Sequence, residues 1–209
     1  MFHDREEAGR LLAGALEDYP RLRTCVLALN GGGAPVGRAI ADALRVPLEV
    51  MVVEPISPPR DPDVAIGWVT ARGATWLDRA RLRRLYLPPG YLATETELRR
   101  EAARDHEVAL RQDAPRVDLA GKVVILAADG VPDVGMVTAA VEDLRWRGVA
   151  PTWIALAAPV VWPEPKRLLP DILDELILLH TPTAIGTVGQ DYREYAPVGD
   201  AEVRRLLER

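Results

Sequence analysis

The sequence predicts a single α/β domain built on a parallel sheet, and three features predict it. Short, predominantly apolar runs recur along the chain, CVLAL, LEVMVV, KVVILAA and TWIALAAPVV, the composition of strands buried on both faces. Stretches with helical periodicity lie between them. The strand-to-helix junctions LNGGGAPV and AADGVPDVG carry glycine, the punctuation of a β–α turn. Parallel neighbours need a long crossover, and a helix between two strands supplies it in the right-handed sense.

Taken in order, REEAGRLLAGALEDY places Ala8, Leu11, Leu12, Ala15 and Leu16 at helical spacing after Asp4, a plausible N-cap. The run CVLAL is the first strand, NGGGAP a glycine turn, PVGRAIADAL a helix and LEVMVV (48–53) the second strand of a βαβ unit. From Glu54 to Arg116 the pattern changes. ISPPRDPD reads as loop, AIGWVTARGATWL alternates like two short strands, and ETELRREAARDHEVALRQ is helical, with Thr94 and Glu97 as a capping box at its start. This excursion, about 54–116, is expected to cover one end of the sheet. KVVILAA, MVTAAVEDLRWRG and TWIALAAPVV form a second βαβ unit, ELILLH (175–180) adds a strand, and Asp200 caps a last helix through Leu207. No linker or internal repeat divides residues 1–209, so one domain is expected.

Composition removes several chemistries. The net charge of −5, with both signs interspersed, argues against nucleic acid as a partner, since phosphate binding needs a concentrated basic face. No apolar run reaches the roughly 18 residues that cross a bilayer, and MFHDREEAGR lacks the apolar core of a signal peptide. No membrane association and a cytoplasmic location are expected. The one cysteine, Cys25, lies inside an apolar run and reads as a buried structural thiol. The one serine, Ser57, sits in ISPP without the turn of a nucleophile elbow, and neither Lys122 nor Lys166 follows a Gly-rich loop. Serine hydrolase and P-loop chemistry are thereby excluded. His3, His106 and His180 form no cluster and read as locally paired or solvated; Tyr192 and Tyr195 read as packing residues that could also stack on a ligand.

In a parallel α/β sheet, ligands bind beyond the carboxyl ends of the strands, where helix N-termini present backbone amides. Three loops compete: Asn30 to Pro35, Glu54 to Asp63, and Asp129 to Met136. Gly31, Gly32 and Gly33 read either as a tight turn needing positive φ or as a close backbone approach to an anion. The dinucleotide fingerprint fails, because Val36 stands at its last glycine. The stretch Asp129, Gly130, Val131, Pro132, Asp133, Val134, Gly135 is the more informative. Carboxylates at a strand end grip sugar hydroxyls or a Mg²⁺ ion, while the next helix N-terminus takes a phosphate. Asp133, just before MVTAAV, reads equally as a helix cap.

Together DREEAGRLLAGAL, LNGGGAPVGRAIADAL, PRDPDVAIGWV, GKVVILAADGVPDVGM and AIGTVGQDYREY resemble the type I phosphoribosyltransferase family over nearly the whole chain. The resemblance implies a five-stranded parallel sheet with a small hood, a homodimer being common in the family. It implies transfer of phosphoribosyl from Mg²⁺-bound phosphoribosyl pyrophosphate to a nitrogen nucleophile. It also exposes departures. The family's paired acids at the strand end are here Ala128 and Asp129, so Asp129 alone would hold ribose or, indirectly, the metal. Its Thr-Gly-x-Thr phosphate turn is Asp133, Val134, Gly135 and Met136 in an ungapped match; with one extra residue, Gly135 takes the glycine place and Asp133 the acidic place near the attacking nitrogen. The pyrophosphate arginine is Gly31, and the basic pair after the second strand is Glu54 and Pro55. The expectation is a family member with lost or altered phosphoribosyl pyrophosphate chemistry that binds a nucleotide, sugar phosphate or other small ligand through Gly31–Gly33 and 129–135, with Asp129 and Asp133 as candidate catalytic groups. The alternatives are an active transferase using Arg38, Arg60 or Arg72, or a non-catalytic scaffold.

Overall fold

The computed structural model describes residues 1–112, 117–146, 150–183 and 186–208. The expected end of the hood segment near 116, Arg147 and Gly148 of the expected helix, and Ala184 and Ile185 of the last block lie outside the described residues.

Helix α1 (Arg5–Gly14) leads into β1 (Thr24–Leu29), α2 (Asn30–Leu44) and β2 (Leu48–Met51). β3 (Val53–Ile56), β4 (Gly67–Thr70), β5 (Thr75–Leu77), α3 (Arg79–Leu82) and α4 (Tyr91–Arg111) form the hood. The chain then returns through β6 (Val123–Ala127), α5 (Gly135–Trp146), β7 (Trp153–Val160), α6 (Pro163–Leu168), β8 (Glu175–His180) and α7 (Asp200–Leu207). The main sheet has the order β2-β1-β6-β7-β8 with every pairing parallel. The hood sheet is antiparallel, β3-β4-β5. A five-stranded parallel sheet with a small hood is the architecture that the resemblance implied.

Alternation along the strands builds two core layers. Val26, Ala28, Val50 and Ile125 face Leu12, Ile40, Leu44 and Leu110, on the side of α1, α2 and α4. Leu27, Leu29, Leu126 and Leu156 face Val137, Ala140 and Leu144 of α5. Both faces of the central strands are thus covered, which is why their runs are almost wholly apolar, with Glu49 of edge strand β2 an exception. Cys25 is buried, and burial pushes its thiol up to about 12.

Several expectations need correcting. The run LEVMVV is two strands, because the Asn30 side chain takes both the N–H and the C=O of Val53 (2.7 and 3.1 Å) while Glu107 accepts from Val52 N–H (3.1 Å). The parallel ladder therefore stops at Met51, and the loop expected from Glu54 begins as β3. The hood helix starts one turn before Thr94: Gly90, at φ 79°, ends the Pro88-Pro89 run, and Thr94 N–H already bonds Gly90 C=O. Glu97 pairs with Arg100 instead of closing a capping box. Gly199 is the N-cap of α7, and Asp200 bonds His106 Nε2 at 3.0 Å. In α1, Asp4 does cap Glu7 N–H, but Leu11 is exposed, and Arg5 takes a place on the buried face with Ala8, Gly9 and Leu12.

The hood is anchored at both flanks. Arg111 of α4 bridges Glu107 and Glu49, the latter on edge strand β2. On the other flank, buried Asp143 of α5 accepts from Thr70 Oγ1 (2.7 Å) and from Arg72. No described helix is long and apolar enough to cross a membrane.

Candidate functional site

The strand-end loop expected to carry function is a two-residue detour from the β6 ladder. Ala128 N–H still donates to Ala157 C=O (3.2 Å), and Val131 is back in register, with Val131 N–H on Val160 C=O (2.8 Å) and Trp162 N–H on Val131 C=O (3.1 Å). Fixing both ends lifts Asp129 and Gly130 off the ladder.

Asp129 meets the chain's own groups there. Its Oδ2 accepts from Arg5 Nε at 2.9 Å and from Tyr195 hydroxyl at 2.8 Å. The Arg5 and Asp129 side chains keep 10% and 16% of their exposure, so this ion pair is largely withdrawn from solvent. Arg5 also donates through Nη1 to Ala196 C=O (2.8 Å) and lies 3.7 Å above the Tyr195 ring, a cation–π contact. Tyr192 donates to Asp129 C=O (2.6 Å) and stacks on Tyr195. Burial, then the Asp129 charge, pushes the Tyr195 hydroxyl up to about 12; burial likewise raises that of Tyr192. Both phenols are therefore donors at neutral pH. The terminal segments are themselves joined, with Phe2 N–H on Asp191 C=O (2.7 Å) and Arg193 N–H on Phe2 C=O (2.9 Å).

The triple glycine comes to the same place. Gly31, Gly32 and Gly33 are the first turn of α2, none at positive φ, so the glycine-turn reading gives way to close approach. A Cβ on Gly32 would lie 2.5 Å from Asp129 Oδ2, and one on Gly33 would lie 2.3 Å from Ala127 C=O. Helix α2 thus starts nearly in contact with the β6 detour. Asn30 makes the turn alone, at φ 56°, a conformation asparagine tolerates better than most residues.

Asp133 faces a different group. Its Oδ1 accepts from Gly135 N–H (2.8 Å), at the first turn of α5, and from Trp68 Nε1–H of the hood (3.1 Å). Burial raises its pKa, opposed by these bonds. Trp68 and Trp76 are paired across β4 and β5, and a Cβ on Gly135 would lie within 2.6 Å of both rings. Of the loop between, Val131 is buried, Pro132 exposed and Val134 half-buried, and Gly130 packs against Val188.

The donor set does not suit Mg²⁺. Ala128 offers no carboxylate, Asp129 is already neutralised by Arg5, and no group of three or more metal-ligating side chains occurs among the described residues. An ion would have to displace a guanidinium of equal sign. Nor do the arginines considered as replacements reach the loop: Arg72 is held on Asp143, and Arg38 on Asp42 of the outer face of α2. Arg60 is exposed in the hood loop. His3 pairs with Asp4, His106 with Asp200 and His180 with Asp191, none beside Asp129.

Sequence reasoning missed Arg5, Trp68 and Trp76, and gave Asn30 only as the start of a loop, without its bonds to Val53. Arg5 left a signal: it is in helical phase with Ala8, Gly9 and Leu12, so a charge stands on an otherwise apolar face. The partners of the tryptophans left none, since the pairing of hood with α5 joins residues far apart in sequence.

Comparison with known proteins identifies the family. No family model matches the chain. The "Putative phosphoribosyl transferase" of Mycobacterium tuberculosis, in strains H37Rv and CDC 1551, is 31% identical over 214 residues, covering 100% of this chain. The chain spans 47% of that relative's length. The crystal structure of TT1426 from Thermus thermophilus superposes with a TM-score of 0.79 at 30% identity, over 99% of this chain and 97% of that one. A Neisseria gonorrhoeae protein crystallised with ppGpp shares the fold at TM-score 0.52 and 13% identity, over 100% and 95% of the two chains. With this fold, this detour after β6 and these relatives, the chain belongs to the type I phosphoribosyltransferase family.

Proposed function

We propose that this chain is a phosphoribosyltransferase-family domain whose phosphoribosyl pyrophosphate site is closed by its own side chains, and that its crevice serves a small ligand lacking a phosphate at the α5 loop. One observation carries the reading: the Asp133 carboxylate accepts the Gly135 N–H and the Trp68 indole N–H, so donors that a phosphate would use at the head of α5 already hold an anion. A second charge there is repelled. At about 4 Å and an effective dielectric near 20, carboxylate and phosphate charges oppose each other by roughly 4 kcal/mol, about a thousandfold in affinity. Glu54, where the family carries a cation, and Ala128, where it carries an acid, act in the same direction.

The test is calorimetric titration of the protein with phosphoribosyl pyrophosphate and Mg²⁺, beside a pyrophosphate-release assay over a panel of nucleobases. The expected results are no saturable heat below the millimolar range and no release above background. Micromolar binding, or release with any base, overturns the reading.

A further inference from the structure

We infer that the groove bounded by α1, α2, α7 and residues 194–198 is a binding site for a small zwitterion with an apolar body, of the free amino-acid type. The groove encloses about 790 Å³, within the range of small-molecule sites. No residue of the 129–136 loop borders it, and it meets the crevice only through Arg5, which reaches Asp129 from its floor.

Its lining carries both signs of charge, with guanidinium groups at depth and carboxylates toward the rim. The Arg5 and Arg38 side chains border it while keeping 10% and 9% of their exposure. Arg5 commits Nε to Asp129 and Nη1 to Ala196 C=O, and a guanidinium has five N–H donors. Arg205 stands in the last turn of α7, with no hydrogen bond or ion pair among the described residues. Among the acids, Asp4 is engaged in capping α1, Glu6 on Arg10 and Asp42 on Arg38. Among the described residues, Glu202 has no such engagement, and Glu194 has only a 3.9 Å approach from exposed His3. Lone anions meet two available carboxylates, and lone cations meet buried guanidinium groups. A molecule with a carboxylate for the Arg5 and Arg205 side and an ammonium for the Glu194 and Glu202 side satisfies both, and Pro35, Ala39 and Val198 accept an aliphatic body.

Thermal melts of the whole chain with L-leucine test this, with acetate and isobutylamine at matched concentration as the separated halves. At tenfold over a millimolar Kd, L-leucine is expected to raise the Tm by about 3 °C, and the separated halves by less than a third of that. Ala43→Trp, at an exposed helical position on the groove wall, and Arg205→Glu should each melt near the parent without ligand and lose the response. The inference is overturned if L-leucine gives no shift, if acetate or the amine alone reproduces it, or if the response survives Ala43→Trp. None of these outcomes bears on phosphoribosyl pyrophosphate binding.

Discussion

Replacing Arg5 by Met separates a structural Asp129 from one reserved for a ligand. The substitution keeps much of the side chain's volume but leaves the Asp129 carboxylate, 16% exposed, with Tyr195 as its remaining side-chain donor. Breaking a buried ion pair by removing one partner costs about 3 to 5 kcal/mol, because the remaining charge stays desolvated. For a chain of 209 residues, at ~2.1 cal/mol/K per residue, the unfolding entropy is about 0.44 kcal/mol/K, so the Tm should fall by about 7 to 11 °C. Circular-dichroism melts and urea titrations measure it. Asp129→Asn alone should also destabilise, by about 2 kcal/mol or more, since it strands Arg5. The double variant Arg5→Met with Asp129→Asn should be less impaired than the sum of the two, a coupling of at least about 1 kcal/mol. A carboxylate held at the expense of stability for binding behaves in the opposite way, its removal being stabilising. A gain in stability from Asp129→Asn, or a fall of less than 2 °C from Arg5→Met, would therefore refute the structural assignment of this pair.

The remaining predictions concern single contacts. Burial raises the Asp133 pKa in the fold, so the native state holds that proton more tightly than the unfolded chain; the resulting stability is present below the unfolded carboxyl pKa and lost as pH rises through the folded one. Asp133→Asn, which keeps an acceptor for Trp68, should thus be neutral or stabilising at pH 7, with the benefit shrinking toward pH 4 in paired melts; a clear loss at pH 7 sinks this. Asp133→Thr should improve phosphoribosyl pyrophosphate affinity by up to about a thousandfold if repulsion dominates, and calorimetry with no gain would show that other lesions decide. Gly33→Ala must push against the Ala127 carbonyl and should lose about 1 to 3 kcal/mol, whereas Gly14→Ala, with nothing within 4 Å, should gain about 0.5 to 1 kcal/mol in the helix; equal effects would deny the close approach of α2 to β6. Cys25, its thiol pushed up to about 12 by burial, should resist alkylation at pH 8 in the native protein and react at once in urea, as followed by mass spectrometry.

What the sequence by itself determined is the part governed by local periodicity. The inner strands β1, β6 and β7 match their apolar runs closely because a strand buried on both faces must be apolar throughout, and edge strand β8, half exposed, still spans the ELILLH run, Glu175–His180. The Asp129–Gly130 loop was legible for the same reason: the apolar run ends abruptly at a charge followed by a helical pattern. The paired hood strands were legible in their alternation. What only the tertiary structure decided is who touches whom. Asn30 ending β2 by copying a strand edge, Arg5 meeting Asp129 across 124 residues, and Trp68 reaching Asp133 are contacts between segments whose separation no local pattern encodes. The glycines show the division most clearly. The sequence shows that three small residues stand together, but whether they serve a positive φ or a close approach depends on the carbonyl and carboxylate of β6 lying against them, and those arrive only when the sheet assembles.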